Sequence, residues 1–238
     1  MGALPGAELP QGDAKARAVR EMFDTIAPRY DLINRIITFG LDRRWRRSAV
    51  TALALSEPSS VLDVACGTGD LCIELQAHGH RPIGIDLSIG MLDHARTDVP
   101  LSQTDALSMP FRDASFDGAV SGFALRNFVE LKSLFSELAR VVRPGGRISL
   151  LDVDSPANPV LRAGHSVYFG HVVPRVGSLL SDRDAYRYLP KSVAYLPPAE
   201  TTLSLLREAG FADANRRLLS GGITQLITGT RSPTEGVQ

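Results

Sequence analysis

Between residues 60 and 153 the sequence alternates between short apolar runs and helical patterns, and this alternation limits the fold more than any other feature. Five apolar runs predict strands: SSVLDVA, PIGID, PLSQTD, SFDGAVSGF and RISLLDV. The segments between them, such as GTGDLCIELQAHG and SIGMLDHAR, predict turns and helices. Strands that alternate with helices pair in parallel, so we expect a parallel sheet with helices on both faces.

The flanking segments complete an α/β fold with a Rossmann-like, seven-stranded, mostly parallel sheet. Apolar residues at helical spacing predict N-terminal helices, and a Pro-rich stretch predicts a helical insertion before the last strands. After it, PPAETTLSLLREAGF predicts a helix and ADANRRLLSGGITQLITGTR a closing hairpin. The predicted divisions are a disordered tail over 1–13, an N-terminal helical lid over 14–55, a Rossmann-like core over 56–154, a substrate-side helical insertion over 155–198, the core completion over 199–231 and a second tail over 232–238.

The composition argues against several classes of protein. The 26 basic residues balance the 26 acidic ones, which is unlike a dedicated nucleic-acid binder. Two cysteines in 238 residues indicate a reducing compartment rather than a disulfide framework. No apolar run approaches the roughly 18 residues of a membrane span, and the first residues lack the apolar stretch of a secretory signal. We therefore expect a cytoplasmic protein.

Two glycines and one aspartate predict a ligand site in the core. Gly67 and Gly69 follow the first strand and precede a helix, where the backbone can pass close to a ligand. Asp86 ends the second strand, where a carboxylate can accept hydrogen bonds from both ribose hydroxyls. Each residue alone has a simpler interpretation, because G-x-G is often only a turn and Asp86 can cap the helix near Ser88. Together they also fit a nicotinamide-dependent oxidoreductase.

Two residues in the same motif argue against a dinucleotide as the ligand. Cys72 stands where a dinucleotide-binding motif has its third glycine. Asp63 lies four residues before Gly67, where a carboxylate can hold an ammonium group but would repel a pyrophosphate. The pattern D-x-A-x-G-x-G resembles the first motif of class I S-adenosylmethionine methyltransferases, with Ala65 in place of the usual first glycine. The predicted cofactor-binding residues are Asp63, Ala65, Gly67, Thr68, Gly69, Asp86, Leu87, Met91, Asp105, Ala106 and Gly122.

Further segments resemble one family of such enzymes, the ubiquinone/menaquinone C-methyltransferases. The matching segments are FDTIAPRYDLINRIITFGLDRRWRR, FALRNFVEL and RVVRPGGRISLLDVD, and the resemblance extends over about residues 20–231. It implies methyl transfer from S-adenosylmethionine to a ring carbon of a quinol, with S-adenosylhomocysteine as the product. For the acceptor, the resemblance implies a polyprenylated naphthoquinol or benzoquinol. We expect no metal ion, because no cluster of His or Cys accompanies Cys66 and Cys72.

The reaction requires a group that removes a phenolic proton or stabilises the resulting phenolate, and four residues are candidates. Arg126 and Asn127 follow the fourth strand, at the sheet edge where α/β folds bind ligands. Arg126 stays protonated, so we expect it to stabilise a phenolate or to orient a water rather than to act as a base. Tyr30 and His171 are the other two candidates. The structural alternatives are a carboxylate partner for Arg126, a helix cap for Asn127, a core position for Tyr30 and a structural imidazole for His171.

Several positions depart from the family's usual residues and leave a second function open. Asp42 stands for His, Gly122 for Ser, Asp152 for Glu and Asp154 for Ser, and TQLITG, which contains Ile227, replaces the usual aliphatic-His ending. These changes motivate the alternative of a related methyltransferase that acts on another aromatic or natural-product molecule. A scaffold that keeps the cofactor only structurally is a further alternative.

Four arginines surround Trp45 and carry the last prediction. Arg43, Arg44, Arg46 and Arg47 most simply form a solvated helix face. The same residues, with an interfacial Trp45, would also suit peripheral contact with an anionic membrane at the inner face of the cell membrane. A homodimer is compatible with the sequence, and no nucleic-acid partner is expected.

Overall fold

The computed structural model describes residues 11–173, 175, 192 and 195–233. Predictions for both terminal tails and for much of the helical insertion lie, in whole or in part, outside these residues. Elements are numbered in chain order among the described residues.

Seven strands form one sheet in the order β3-β2-β1-β4-β5-β7-β6. Neighbouring strands from β3 to β5 pair in parallel, whereas β7 runs antiparallel to both β5 and β6. This arrangement confirms the predicted α/β class, the mostly parallel sheet and the closing hairpin. The strands are β1 Ser60–Val64, β2 Arg81–Asp86, β3 Leu101–Gln103, β4 Phe116–Gly122, β5 Val142–Val153, β6 Asn215–Leu219 and β7 Thr224–Thr230.

Helices precede the sheet, connect its strands and cover its faces. Helix α5 has Ser88 as its N-cap, with Oγ accepting a hydrogen bond from the Met91 amide. The helices are α1 Gly12–Ile26, α2 Tyr30–Ile37, α3 Leu41–Leu53, α4 Asp70–Ala77, α5 Ile89–Asp93, α6 Leu131–Val141, α7 Pro159–Val167 and α8 Ala199–Glu208.

Successive residues of the central strands are buried on opposite faces of the sheet, which explains their continuous apolar sequence. Leu62 of β1 belongs to a core cluster that includes Phe135 and Leu138 of α6. The preceding residue, Val61, belongs to a second cluster on α3 and α4 that includes Leu75. Both faces of the sheet are therefore packed against helices, and this packing positions the loops that follow the strands.

The fifth strand begins earlier than predicted. The segment RISLLDV was predicted as the strand, but β5 already begins at Val142, directly after α6 ends at Val141. Gly145 takes part in the pairing of this region, because its amide donates to the Arg231 carbonyl at 2.8 Å. Its φ of 77° is a conformation that suits glycine.

The predicted solvated face around Trp45 is correct for three of the four arginines and wrong for Arg46. Trp45 is buried on the same side of α3 as Ala49 and Leu53, and its indole N–H donates to Ser220 Oγ at 2.8 Å. Arg46 is also buried, because its guanidinium pairs with Asp42 and with Asp70, the latter at 3.0 Å. A membrane contact made by Trp45 and Arg46 is therefore ruled out.

Candidate active site

The carboxyl ends of β1, β2 and β4 lie at one edge of the sheet, because these strands are parallel. The turn after β1 has left-handed backbone at Ala65, Gly67 and Gly69, with φ of 56°, 56° and 86°. A Cβ on Gly69 would lie 2.6 Å from Thr97 Cγ2, whereas a Cβ on Gly67 would meet nothing within 4 Å. Gly69 therefore permits close packing, and Gly67 leaves an open space beside the turn.

Asp86 lies beside this open space. Its Oδ2 accepts a hydrogen bond from the Gly67 amide at 2.8 Å, and its Oδ1 accepts one from the Ser88 amide at 2.8 Å. Burial raises the pKa of the carboxyl group above its usual value. Each carboxylate oxygen can accept more than one hydrogen bond, so Asp86 both fixes the turn and retains acceptor capacity for a ligand.

A cavity of about 120 Å³ opens at this edge, and we call it the turn cavity. Most of the predicted cofactor residues line it together, although they come from four separate segments of the chain. They are Ala65, Gly67, Asp86, Leu87, Met91, Asp105, Ala106 and Gly122. The predicted residues Asp63, Thr68 and Gly69 do not line it. Thr68 instead donates through Oγ1 to Asp31 Oδ1 at 2.7 Å, which ties the turn to α2.

Asp63 lies on β1 and is fully buried. Cys72 Sγ donates to its Oδ2 at 3.3 Å, and its Oδ1 has no hydrogen-bond partner among the described residues. Burial raises the pKa of Asp63 to about 7. A buried carboxyl oxygen without a partner is costly, so this atom is suited to a cationic ligand group placed against the turn.

Helix α1 covers the turn cavity, and the sequence did not predict its residues as part of the site. Ala16, Val19, Arg20 and Phe23 all line the cavity. The amphipathic pattern of α1 predicted that the helix packs against something, but such a pattern does not say against what.

Two polar residues attach α1 on either side of the cavity. Asp24 Oδ1 accepts hydrogen bonds from Ser88 Oγ and, at 2.9 Å, from the Gly90 amide. Lys15 is buried, and its Nζ donates to the Phe128 carbonyl at 2.7 Å. Burial lowers the pKa of Lys15 to about 8. The helix is thus attached to the loops after β2 and β4.

A second, larger cavity of about 400 Å³ adjoins the first, and we call it the apolar cavity. Phe23, Tyr30 and Phe123 line both cavities, so the two meet at these three rings. The remaining walls come from α2, α3, α7 and the segment before β7. The ionisable and amide side chains among the lining residues are those of Asn34, Asp42, Arg46, Arg126 and His165, beside the phenols of Tyr30 and Tyr168.

The structure brings three of the four predicted catalytic residues to these cavities. Tyr30 lies at the junction, and Asn127 lines the turn cavity. Arg126 lines the apolar cavity and pairs with Asp152, which is fully buried. His171 is exposed and lines neither cavity.

The guanidinium of Arg126 is held on several sides. Nη1 donates to the Phe123 carbonyl at 2.7 Å, and Nε donates to Ser192 Oγ at 3.0 Å. The Arg126 amide donates to Asp152 Oδ2 at 3.2 Å. Nη2 makes no hydrogen bond to the described residues. The carboxylate alternative for Arg126 is therefore correct, and it is compatible with a role in the cavity.

Burial also affects the ionisable groups of the apolar cavity. Burial raises the pKa of Tyr30, although nearby Arg46 and Arg126 oppose the effect. The phenol is therefore protonated near pH 7. Burial lowers the pKa of His165, so its imidazole is neutral in the same range. His165 was missed in the sequence because a single His in a Pro-rich segment carries no signal. No group of His, Cys, Asp or Glu that could hold a metal ion occurs among the described residues.

Comparisons with known proteins agree with this arrangement. The model of the ubiE/COQ5 methyltransferase family matches residues 11–231. A ubiquinone/menaquinone biosynthesis C-methyltransferase of Syntrophotalea carbinolica is 41% identical, covering 90% of this chain and 94% of that protein. A demethylmenaquinone methyltransferase of Deinococcus radiodurans is 42% identical, covering 89% and 93%.

Among solved structures, a SAM-dependent methyltransferase of Thermotoga maritima superposes with a TM-score of 0.60. It is 20% identical and covers 90% of this chain and 99% of that one, so it supports the fold alone. These matches confirm the resemblance seen in the sequence and decide against the nicotinamide-dependent alternative. The chain belongs to the ubiE/COQ5 methyltransferase family and is an S-adenosylmethionine-dependent methyltransferase.

Proposed function

We propose that this enzyme methylates a ring carbon of a demethylmenaquinol-type quinol. The observation that supports this most strongly is the meeting of the two cavities at Tyr30, Phe23 and Phe123. A methyl donor in the turn cavity and an aromatic acceptor in the apolar cavity would approach each other there. Methyl transfer depends mainly on such positioning of the two reactants.

The residues of the turn cavity fit S-adenosylmethionine. The open space at Gly67 admits a ligand against the backbone, and Asp86 beside it can accept the ribose hydroxyls. Asp105 and Ala106 form the part of the wall suited to an adenine ring. The partnerless Oδ1 of Asp63 provides a negative group for the ammonium end. When bound, the cofactor supplies a methyl group on a cationic sulfur.

The apolar cavity fits a quinol ring with a hydrocarbon tail. The surface of its walls is mostly apolar, and Asn34, Arg46 and Arg126 place polar groups close to Tyr30. Such a distribution binds an apolar body and fixes the direction of a polar ring. We therefore propose that the acceptor is polyprenylated and enters the cavity from a membrane.

The chain must also remove the phenolic proton of the acceptor or stabilise the phenolate, and after methyl transfer the methylated ring carbon loses its hydrogen as a proton, which restores the aromatic ring. The neutral imidazole of His165 is able to accept a proton inside the cavity. The Nη2 group of Arg126 can donate hydrogen bonds to the resulting phenolate oxygen. The protonated Tyr30 hydroxyl can donate a further hydrogen bond at the junction. In this proposal His171 has no role.

Mass spectrometry of the quinones in a strain lacking the gene tests the assignment of the acceptor. Demethylmenaquinone should accumulate, and the chain supplied on a plasmid should restore methylated menaquinone. The Asp86→Ala variant should not restore it. Methylated menaquinone that persists without the gene would favour the alternative, a related enzyme that acts on another aromatic molecule. The departures at Asp42 and Asp152 support that alternative. Asp42 lines the apolar cavity, and Asp152 pairs with Arg126, which lines it, so both changes affect the walls that would contact the acceptor.

Other properties remain predictions. None of the described helices combines the length and apolar character that a membrane span needs. Cytoplasmic location, peripheral membrane contact, homodimerisation and the absence of a metal ion are expectations from the sequence.

A further inference from the structure

Exposed apolar side chains surround the mouth of the apolar cavity. Phe39 is 77% exposed and Val160 is 79% exposed, although both line the cavity. Leu161 and Leu41 line it as well and are also exposed. Helix α7, which carries Val160 and Leu161, has no buried residue at all. We call these four residues the apolar rim, and its contact with water is unfavourable.

The backbone holds Phe39 in an unusual conformation. Its φ is 52°, a left-handed value that bulky residues rarely adopt. Its ring lies 5.7 Å from that of Tyr168 between centroids, yet the residue stays largely exposed to solvent. A strained residue that exposes an aromatic ring is a poor choice for stability, which indicates that the ring serves another purpose.

An arginine-rich groove begins beside the apolar rim. Gly40 lines this groove, whereas its two neighbours in sequence, Phe39 and Leu41, line the cavity. The groove also contains Arg43 and Arg44, which form no ion pair with the described residues. Its other charged residues are Arg47 and Arg217. Exposed apolar side chains and unpaired cations are therefore continuous on one surface.

We propose that the apolar rim and the arginine groove together dock on an anionic phospholipid bilayer. Cations attract the acidic headgroups, and apolar side chains at the same level enter the boundary of the acyl chains. The charge of the groove favours a bilayer with acidic lipids over an apolar protein partner. The inference rests on the proposed function, because docking in this orientation lets a lipid-tailed acceptor enter the cavity without crossing water.

Sedimentation of the full chain with vesicles tests the docking surface. The protein should bind vesicles that contain phosphatidylglycerol and bind pure phosphatidylcholine vesicles much more weakly. Arg43→Gln combined with Arg44→Gln should weaken binding roughly 30-fold, since each cation near such a surface contributes about 1 kcal/mol. The matched control is Arg81→Gln with Arg112→Gln, two exposed arginines at the opposite edge of the sheet: Arg81 is the first residue of β2, and Arg112 precedes β4.

The apolar part of the surface needs a separate variant. Phe39→Asn should weaken vesicle binding at least tenfold, because it removes the aromatic ring that docking would bury at the acyl boundary. Asparagine tolerates left-handed backbone, so the thermal midpoint of this variant should be unchanged or higher. Ile73→Ser, which removes an exposed residue of α4, should bind vesicles as the unmodified chain does. Unaltered binding in either the Arg43/Arg44 or the Phe39 variant would overturn the proposal, as would binding of RNA or protein instead of vesicles.

Two acceptors separate failure of docking from failure of the proposed function. The Arg43/Arg44 variant should methylate a tail-less quinol normally and lose activity on a prenylated quinol embedded in vesicles. If the unmodified chain methylates the tail-less quinol but never binds vesicles, the docking proposal is wrong and the function stands. If it binds vesicles but methylates neither acceptor, the proposed function is wrong, whereas the docking surface stands.

Discussion

Asp63 carries a carboxyl group that lies out of contact with solvent, and only one of its oxygens has a described partner. Its raised pKa, about 7, shows that the protein alone does little to stabilise the negative charge. A cationic ligand group at the turn would supply the missing stabilisation. The charge of Asp63, rather than its shape, is then the property that binding uses.

The Asp63→Asn variant separates charge from shape. We expect at least a tenfold loss of affinity for S-adenosylmethionine by calorimetry, because asparagine keeps the size and loses the charge. Asp98→Asn, at an exposed carboxylate, provides the matched control. Equal affinities for the Asp63 variant and the unmodified chain would mean that the carboxyl group only fills space.

Asp152 is the second residue whose role depends on charge. Its fully buried carboxylate pairs with Arg126. Asp152→Asn should destabilise the fold by about 3–5 kcal/mol in urea unfolding, because it leaves a buried guanidinium without its countercharge. Asp152→Glu keeps the countercharge and should therefore lose much less free energy of unfolding. If the Asn variant is as stable as the unmodified chain, the pair does not position Arg126.

At the scale of elements, α1 connects the two halves of the site. Its residues line the turn cavity, and Phe23 reaches the junction with the apolar cavity. The bonds of Asp24 and Lys15 hold it in this position. A helix attached by so few polar contacts can open to admit and release ligands.

Asp24→Ala should loosen this attachment. The variant leaves the Gly90 amide and Ser88 Oγ without their acceptor, so we expect faster hydrogen exchange in α1 and faster dissociation of S-adenosylhomocysteine. Asp13→Ala, at an exposed position of the same helix, is the control. Unchanged exchange and dissociation rates would show that α1 does not act as a cover.

The elements that the sequence predicted are those whose signal is local. Five strands, the closing hairpin and the turn at Gly67 follow from short patterns with fixed backbone requirements. The sequence predicted an N-terminal helical lid over 14–55 but not which of its residues line the turn cavity, and it did not identify Asp152 as the carboxylate that pairs with Arg126, since each contact joins distant segments. The apolar cavity escaped prediction for the same reason, and so did the burial of Arg46, whose two aspartate partners lie on different helices.

At the scale of the whole molecule, two buried groups make stability depend on pH in opposite directions. Asp63 keeps its proton up to about pH 7 in the folded state, whereas it loses it near pH 4 when unfolded. Its contribution to stability therefore falls as the pH rises through this interval. Lys15 titrates near 8 when folded and near 10.5 when unfolded, so its contribution rises with pH between these values.

Comparison of variants isolates each contribution from those of other groups. Between pH 4 and 7, the free energy of unfolding of the unmodified chain should fall relative to that of Asp63→Asn, by a few kcal/mol. Between pH 8 and 10.5, it should rise relative to that of Lys15→Met. Differences that stay constant with pH would mean that neither group has a shifted pKa in the folded protein.

The central claim is that the two cavities unite a methyl donor with a quinol ring. The most direct test incubates the purified full chain with S-adenosylmethionine carrying a ¹³C methyl group and with reduced demethylmenaquinone. We predict that the label appears on a ring carbon by NMR, with one S-adenosylhomocysteine formed per methylated quinol. Label on an oxygen, or no transfer by a protein that binds both ligands, would contradict the claim.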